Sequence, residues 1–240
     1  DFRPFAPYKF TMHREILAQF RRALPLLKGK AIGSLLFRPG QKELEIEPVL
    51  SEVCLYSGSF FPLTHGHVAV RREAMRAGEG AGGAEDRGFF FEISLTNEDK
   101  SGISGPEEER LLQFIRRDLP VLYTNKGLFL DKLQLLRNAT FVLGGDTFQR
   151  VLDDRFYKNG NTIEMFLEKC SERNVDLLVF PRFHNGEFKT LEWCLGKLDH
   201  SRREMVLKLA KEISGFRVDV SSTEIREGKI VNLVDQYLKQ

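Results

Sequence analysis

Cysteine is scarce: Cys54, Cys170 and Cys194 are the three in 240 residues. They are odd in number, far apart and form no C-x-x-C pair, which argues against a secreted disulfide framework and a zinc knuckle. Free buried thiols in a reducing compartment are the expectation. No apolar run approaches the roughly 18 residues of a spanning helix, so no membrane partner is expected. Net charge is nearly absent, since 36 Lys+Arg against 34 Asp+Glu leave +2. That balance does not suit a protein whose main task is gripping a nucleic-acid backbone, although a local basic patch fits inside it. Histidine is thin, and His13, His184 and His200 have no second His or Cys at metal-ligand spacing. Surface or capping roles outweigh zinc there, and no metal ligand set is expected. The opening residues carry no signal-like apolar segment. The expected location is intracellular, cytoplasmic or organellar with the mitochondrion included, and not secreted.

What is present is globular: 42% hydrophobic and 29% charged residues argue against a disordered tail or a fibre. The length suits one large domain and permits two small ones. Phe supplies 20 of the aromatics against five Tyr and one Trp, which reads as core and interface filler. Residues Met12–Leu27 carry a helical apolar stripe with basic residues between, and Pro25 near its end predicts a kink or an early stop. A strand over Ala31–Phe37, a turn at Arg38–Gln41 and a short edge strand at Leu44–Ile46 follow. Residues 1–50 are expected to be an N-terminal extension packed on a main domain spanning 51–240, its basic helix resting on that domain or docking to a partner.

From Val53 the pattern changes. Short apolar strands are expected at Val53–Tyr56, Phe89–Leu95, Val121–Thr124, Phe141–Gly144, Asp176–Phe180 and Phe216–Val220. Helical patterns lie between them, among them Gly66–Ala77 and Pro106–Arg117, and a Gly-rich surface loop covers Gly78–Gly88. Alternating strands and helices predict an α/β fold, a doubly wound parallel sheet covered on both faces with its functional loops at the strand C-termini. Two arginine pairs, Arg71-Arg72 and Arg202-Arg203, read as solvated helix faces and are the only candidates for RNA contact.

Two segments carry chemistry. Gly58-Ser59-Phe60-Phe61-Pro62-Leu63-Thr64-His65-Gly66-His67 joins a strand to a helix. Gly58 and Gly66 permit close backbone approach, and Thr64 and His67, three apart, can face one anion from a single turn, so the junction reads as a phosphate cradle. Ser221-Ser222-Thr223-Glu224-Ile225-Arg226 opens a short helix where hydroxyls and amides can hold one phosphate while Arg226 neutralises another. Capping by Ser222 or Thr223 is the plain alternative. Gly144-Gly145-Asp146 at a strand end can let backbone approach a nucleoside, with Asp146 on a ribose hydroxyl or a base edge, or capping its helix. Lys100 reads equally as a ligand for an acceptor phosphate and as a solvated lysine. Arg182 reads equally as a base-pocket residue and a surface one.

Together the two segments resemble the (H/T)xGH and ISSTxIR signatures of the nucleotidyltransferase superfamily, which includes nicotinamide and nicotinate mononucleotide adenylyltransferases. The resemblance implies a modified, Rossmann-like fold, ATP or CTP with Mg²⁺ bound to the triphosphate, a phosphorylated small-molecule acceptor and release of pyrophosphate. It implies Thr64 and His67 on the phosphates, His67 donating to the α-phosphate, and Ser222, Thr223 and Arg226 on the β/γ side. Gly58, Ser59, Phe60, Gly66, Gly145 and Asp146 would border the nucleotide, and Thr96, Lys100 and Arg182 the second substrate.

A narrower resemblance spans Leu55 to Arg226. Phe91-Glu-Ile-Ser-Leu-Thr96-Asn-Glu-Asp-Lys100, Phe141-Val-Leu-Gly-Gly-Asp-Thr147, Asp154-Arg-Phe-Tyr157 and Phe188-Lys-Thr-Leu-Glu192 are similar to the cytidylyltransferase-like domain that in plants accompanies a CinA-type domain. Two positions depart from the pattern. Phe61 stands where the superfamily has Asp or Asn, and Phe180-Pro181 where the subgroup commonly has a glycine pair. Two functions from different classes therefore stand: an adenylyltransferase-like enzyme, and a catalytically idle relative that serves as a subunit of a larger, organellar assembly.

Overall fold

The computed structural model describes residues 7–79, 88–96, 107–184, 186–218 and 220–239. In chain order the helices and strands are α1 (Pro7–Lys28), β1 (Ser34–Phe37), β2 (Glu45–Ile46), β3 (Leu50–Ser51), β4 (Val53–Ser57), α2 (His65–Glu79), β5 (Gly88–Ser94), α3 (Glu107–Ile115) and β6 (Val121–Thr124). Then come α4 (Phe129–Lys132), β7 (Leu136–Arg137), β8 (Ala139–Gly144), α5 (Gly145–Val151), α6 (Ile163–Glu172), β9 (Val175–Phe180), β10 (Arg182–His184) and β11 (Glu187–Lys189). The rest are α7 (Leu191–Leu195), α8 (His200–Leu209), β12 (Ala210–Glu212), α9 (Ser222–Arg226) and α10 (Val234–Tyr237). Between β5 and α3 the described residues stop at Thr96, so Lys100 lies outside them, as does the expected Gly78–Gly88 loop apart from its ends.

Eight strands form one sheet in the order β12-β9-β8-β4-β5-β6-β1-β2. The six from β12 to β6 pair in parallel, while β1 joins β6 and β2 joins β1 antiparallel. Strands such as Val53–Tyr56 are apolar without alternation because both faces are covered. Alternate residues enter two cores. Leu55 and Phe90 meet Phe148, Ile163 and Val206 on one face. On the other, Tyr56, Phe89 and Phe91 meet Phe20, Val68 and Phe114. The fold is thus a doubly wound, Rossmann-like α/β fold. From central β4 the chain winds through β5 and β6 in one direction and through β8, β9 and β12 in the other. The crevice of such a sheet opens at the strand C-termini where the winding reverses, between β4 and β8.

Three expectations need correction. Pro25 is not an early stop, for it lies inside α1, which continues to Lys28. There Leu27 is fully buried and the Gly29 N–H takes the Pro25 carbonyl at 2.8 Å. Residues Phe216–Val220 pair with no strand among the described residues. Phe216 instead sets its ring edge-on to Phe180, with centroids 4.9 Å apart, and the last parallel place belongs to β12. The arginine pairs are not freely solvated. The Arg71 guanidinium lies 6.0 Å from the Phe89 ring, and burial lowers its pKa. Arg72 donates to the Tyr237 carbonyl, Arg202 pairs with Asp154 and Glu164, and Arg203 with Glu192.

β1 and β2 belong to the main sheet, and all four β1 residues are buried and pair with β6. Arg21 and Lys28 of α1 reach Glu108 and Glu107 of α3 at 2.7 and 2.8 Å. No helix among the described residues is long and apolar enough to cross a membrane.

Candidate nucleotide site at the sheet switch point

The loop from Gly58 to Thr64 leaves the C-terminal end of β4 and delivers α2. Phe60 takes a positive φ of 45° and turns its ring inward, where it is 1% exposed. The ring packs edge-on against His67, Phe91 and Tyr56 at 4.9, 5.1 and 5.3 Å between centroids. A Cβ on Gly58 would meet that ring at 2.7 Å, so the glycine is required by Phe60. Gln113 of α3 clamps the loop, donating to the Phe60 carbonyl at 2.5 Å and accepting from the Leu63 N–H at 2.6 Å.

Thr64 is buried, and its N–H donates to His67 Nδ1 at 3.0 Å, with its hydroxyl 3.1 Å from the same nitrogen. A ring nitrogen that accepts carries no proton in the neutral form, so the imidazole hydrogen lies on Nε2. Thr64 is therefore a positioning residue behind His67, which lines the cavity. Gly66 also stands behind the wall. A Cβ there would come within 2.4 Å of Val220 Cγ1, so its smallness admits the strap that carries Val218 and Val220.

Helix α9 settles on this loop. Its cap is Ser221, whose side chain accepts from the Thr223 N–H at 3.1 Å. That corrects the expectation that Ser222 or Thr223 caps it. Ser222 Oγ donates to the Pro62 carbonyl at 3.0 Å, while Arg226 donates to the Phe61 carbonyl and, at 3.0 Å, to Thr223 Oγ1. The Phe61 ring lies 5.6 Å from the Arg110 guanidinium, towards α3.

Across the switch point α5 begins directly after β8. Gly144 occupies its cap and Asp146 its first turn, so Asp146 is not the cap. Asp146 Oδ1 is buried with no hydrogen-bond partner and lies 3.7 Å from Arg182 Nη1. A Cβ on Gly145 would fall 2.0 Å from the Lys189 carbonyl, so this glycine seats the β10–β11 hairpin against α5. Arg182 and Lys189 pair across that hairpin and both line the cavity. Burial pushes the Tyr56 phenol up to about 12, with opposing fields from Arg182 and Asp146.

These walls enclose a cavity of about 900 Å³. Its described lining holds seven Lys or Arg side chains against three carboxylates, a surplus of positive charge that suits an anionic ligand. His67, Gly58, Ser59, Phe60, Asp146, Arg182, Ser222, Thr223 and Arg226 all border it. Thr96 does not; its hydroxyl donates to the Asn125 carbonyl at 2.9 Å. Among the described residues, no group of three or more His, Cys, Asp or Glu could hold a metal ion.

The floor of the cavity holds a group that sequence reasoning missed. Glu92 of β5, fully buried, accepts from Lys132 Nζ at 2.8 Å and from Thr124 Oγ1 at 2.6 Å. Lys132, from α4, also donates to Ser57 Oγ at 3.3 Å. A carboxylate inside the apolar run Phe89–Ile93 was the available signal, since a buried charge needs a partner. Nothing local to Lys132 marked it as that partner.

No protein-family model and no curated protein sequence matches the chain. Among solved structures the chain is similar to Plasmodium falciparum nicotinic acid mononucleotide adenylyltransferase complexed with NaAD. The two share 16% identity over 74% of this chain and 83% of that one, with a TM-score of 0.41. It is likewise similar to the same enzyme complexed with APC, at 15% identity over 73% and 82% of the two chains and a TM-score of 0.40. Likenesses this distant leave the chemistry of the site to its own residues.

Proposed function

We propose that the cavity binds a nucleoside triphosphate, ATP or CTP, and transfers its nucleotidyl group to a phosphorylated small molecule. A mononucleotide such as nicotinamide or nicotinate mononucleotide is the first choice of acceptor. The carrying observation is the convergence of the two signature segments, with α9 seated on the loop that delivers His67, in a basic cavity at the switch point. A phosphate oxygen of the acceptor attacks the α-phosphorus and forms the new P–O bond. The α–β bridge breaks, and pyrophosphate leaves with the electron pair.

Such a reaction needs positioning and charge neutralisation more than covalent help. His67 donates from Nε2 to the α-phosphate, Ser222, Thr223 and Arg226 hold the β/γ side, and Asp146 Oδ1 takes a ribose hydroxyl. Mg²⁺ bound with the triphosphate would supply further neutralisation of its phosphate charge.

Titration of ATP and CTP with Mg²⁺ into wild type and Arg226→Ala tests the pocket. Tight binding of one triphosphate that depends on Arg226 is expected, followed by pyrophosphate release with a matching mononucleotide that His67→Ala abolishes. Binding of neither triphosphate by folded protein overturns the reading.

One observation favours a second reading, that of a catalytically idle assembly subunit. Arg226 already holds the Phe61 carbonyl and the Thr223 hydroxyl, so the second segment serves as a latch on the first. Native electrophoresis of cell extract decides this: a monodisperse free monomer counts against the subunit.

A further inference from the structure

We infer that Lys132, with the Ser57 hydroxyl beside it, receives the phosphomonoester of the second substrate; this rests on the nucleotidyl-transfer reading and assigns the acceptor subsite within it. Four observations carry the inference. The Lys132 side chain is 4% exposed and its partner Glu92 0%, yet both line the cavity. A buried ion pair is a costly way to stabilise a fold, and an apolar pair of similar volume commonly does as well. A charge kept at a ligand cavity therefore calls for a use there.

The carboxylate is fully engaged, one oxygen by Thr124 and the other by Lys132. The ammonium is not. Among the described residues it has two acceptors, Glu92 Oε2 and the more distant Ser57 Oγ, and an ammonium carries three donors. The Phe129 ring, 4.6 Å from Nζ, borders it on one side and supplies no lone pair. Two donors, the remaining N–H and the Ser57 hydroxyl, can thus converge on one acceptor oxygen.

The position fits the reaction. Ser57 is the last residue of β4 and stands directly before Gly58. A phosphate on Lys132 lies at the root of the loop that carries His67, where an attacking oxygen is needed. The lining of the same cavity also includes Arg150, Arg155 and Lys158, which suits a dianion. In the sequence this duty was assigned to Lys100, which lies outside the described residues.

The test is calorimetric titration of ribose 5-phosphate, with ribose as the uncharged control and ATP with Mg²⁺ as the donor arm. Lys132→Met alone strands a buried carboxylate, so the deciding variants are Glu92→Gln and the double Glu92→Gln/Lys132→Met. Glu92→Gln keeps the side-chain shape and removes the nearest negative charge, and ribose 5-phosphate should bind about tenfold tighter. The double variant should bind it at least tenfold more weakly than wild type, through loss of a charge-assisted hydrogen bond. Both variants should keep wild-type ATP affinity.

An unchanged or weaker ribose 5-phosphate affinity in folded Glu92→Gln overturns the inference, and so does an equal tightening of ATP, which is the general response of a basic cavity to losing a carboxylate. A response confined to ATP also overturns it and makes Lys132 a ligand of the donor triphosphate. If ATP binds in an Arg226-dependent manner while ribose 5-phosphate is indifferent to both variants, this subsite fails and the nucleotidyl-transfer reading survives. If folded protein binds neither ligand, both fail.

Discussion

Gly66 separates two accounts of the first signature segment. As a phosphate cradle, the loop needs a glycine so that backbone can approach the ligand. The structure gives it another reason: a Cβ at position 66 would lie 2.4 Å from Val220 Cγ1, with Val218 Cγ1 next at 3.4 Å. Gly66→Ala must push the strap outward by roughly 1 Å to reach ordinary contact distance, and overpacking of this kind costs about 1–3 kcal/mol. Alanine inside a helix returns about 0.5–1 kcal/mol, so the net loss centres on about 1 kcal/mol. Val220→Ala removes the clashing methyl. The double variant should then exceed the sum of the singles by about 1–2 kcal/mol, as coupled neighbours do. Urea denaturation of the four proteins measures the cycle, and ATP titration of the same samples supplies a second readout. A neutral Gly66→Ala, or a double variant no better than additive, refutes the packing account. Restored stability without restored ATP binding would show that the ligand, too, meets the backbone of Gly66.

Three further outcomes follow from the packing and the ion pairs. All three cysteines are buried, and burial pushes the Cys194 thiol up to about 11 and raises Cys170 as well. A disulfide reagent at pH 8 should therefore label native protein slowly and denatured protein at three thiols; rapid native labelling would contradict the packing. Glu164 is held below the ordinary carboxylate pKa, first by its backbone hydrogen bond and then by Arg202. Its contribution is present above the unfolded pKa of about 4.3 and is lost as pH falls through the folded value, so the stability gap between wild type and Arg202→Ala should narrow in acid. A gap independent of pH from 7 to 3 would disprove that link. Asn232 donates to the Leu63 carbonyl at 2.8 Å and accepts from the Val234 N–H at 3.2 Å. Asn232→Ala should cost about 1–2 kcal/mol in a denaturant titration and weaken ATP binding by loosening the loop; unchanged stability and affinity would argue against it.

What the sequence made legible was local. β4, β5, β6, β8 and β9 announced themselves because strands covered on both faces are short apolar runs. The two signature segments were visible because glycines, hydroxyls and a basic residue at helix starts carry their chemistry in their spacing. Contacts between distant residues were not visible. Arg72 looks like a solvated helix arginine until Tyr237 is folded against it, 165 positions away. Lys132 meets Glu92 only after a 40-residue excursion through β6 and α4. The Phe216–Val220 stretch has the alternation of a strand, but its valines are drawn to Gly66 and its phenylalanine to Phe180. β12 has no counterpart among the expected strands, because a three-residue strand leaves too little pattern to tell from a helix end.

The two segments that looked independent along the chain form one object in space. Phe61, Pro62 and Leu63 present three successive carbonyls, and Arg226, Ser222 and Asn232 supply a donor to each. Leu233 adds an N–H to His65 Nδ1 at 3.4 Å, and Asp235 pairs with Arg117 at 2.8 Å, binding the C-terminal segment to α2 and α3. These donors satisfy the loop's carbonyls, so the C-terminal segment shares with Gln113 the work of holding its shape. His67 takes its orientation from Thr64, the next residue of that loop. The aim of the imidazole therefore depends on side chains more than 150 residues away. The same contacts explain how Phe61 is accommodated. Its backbone oxygen holds Arg226 while its ring turns to Arg110, so the position serves the latch through a main-chain atom that every residue type possesses.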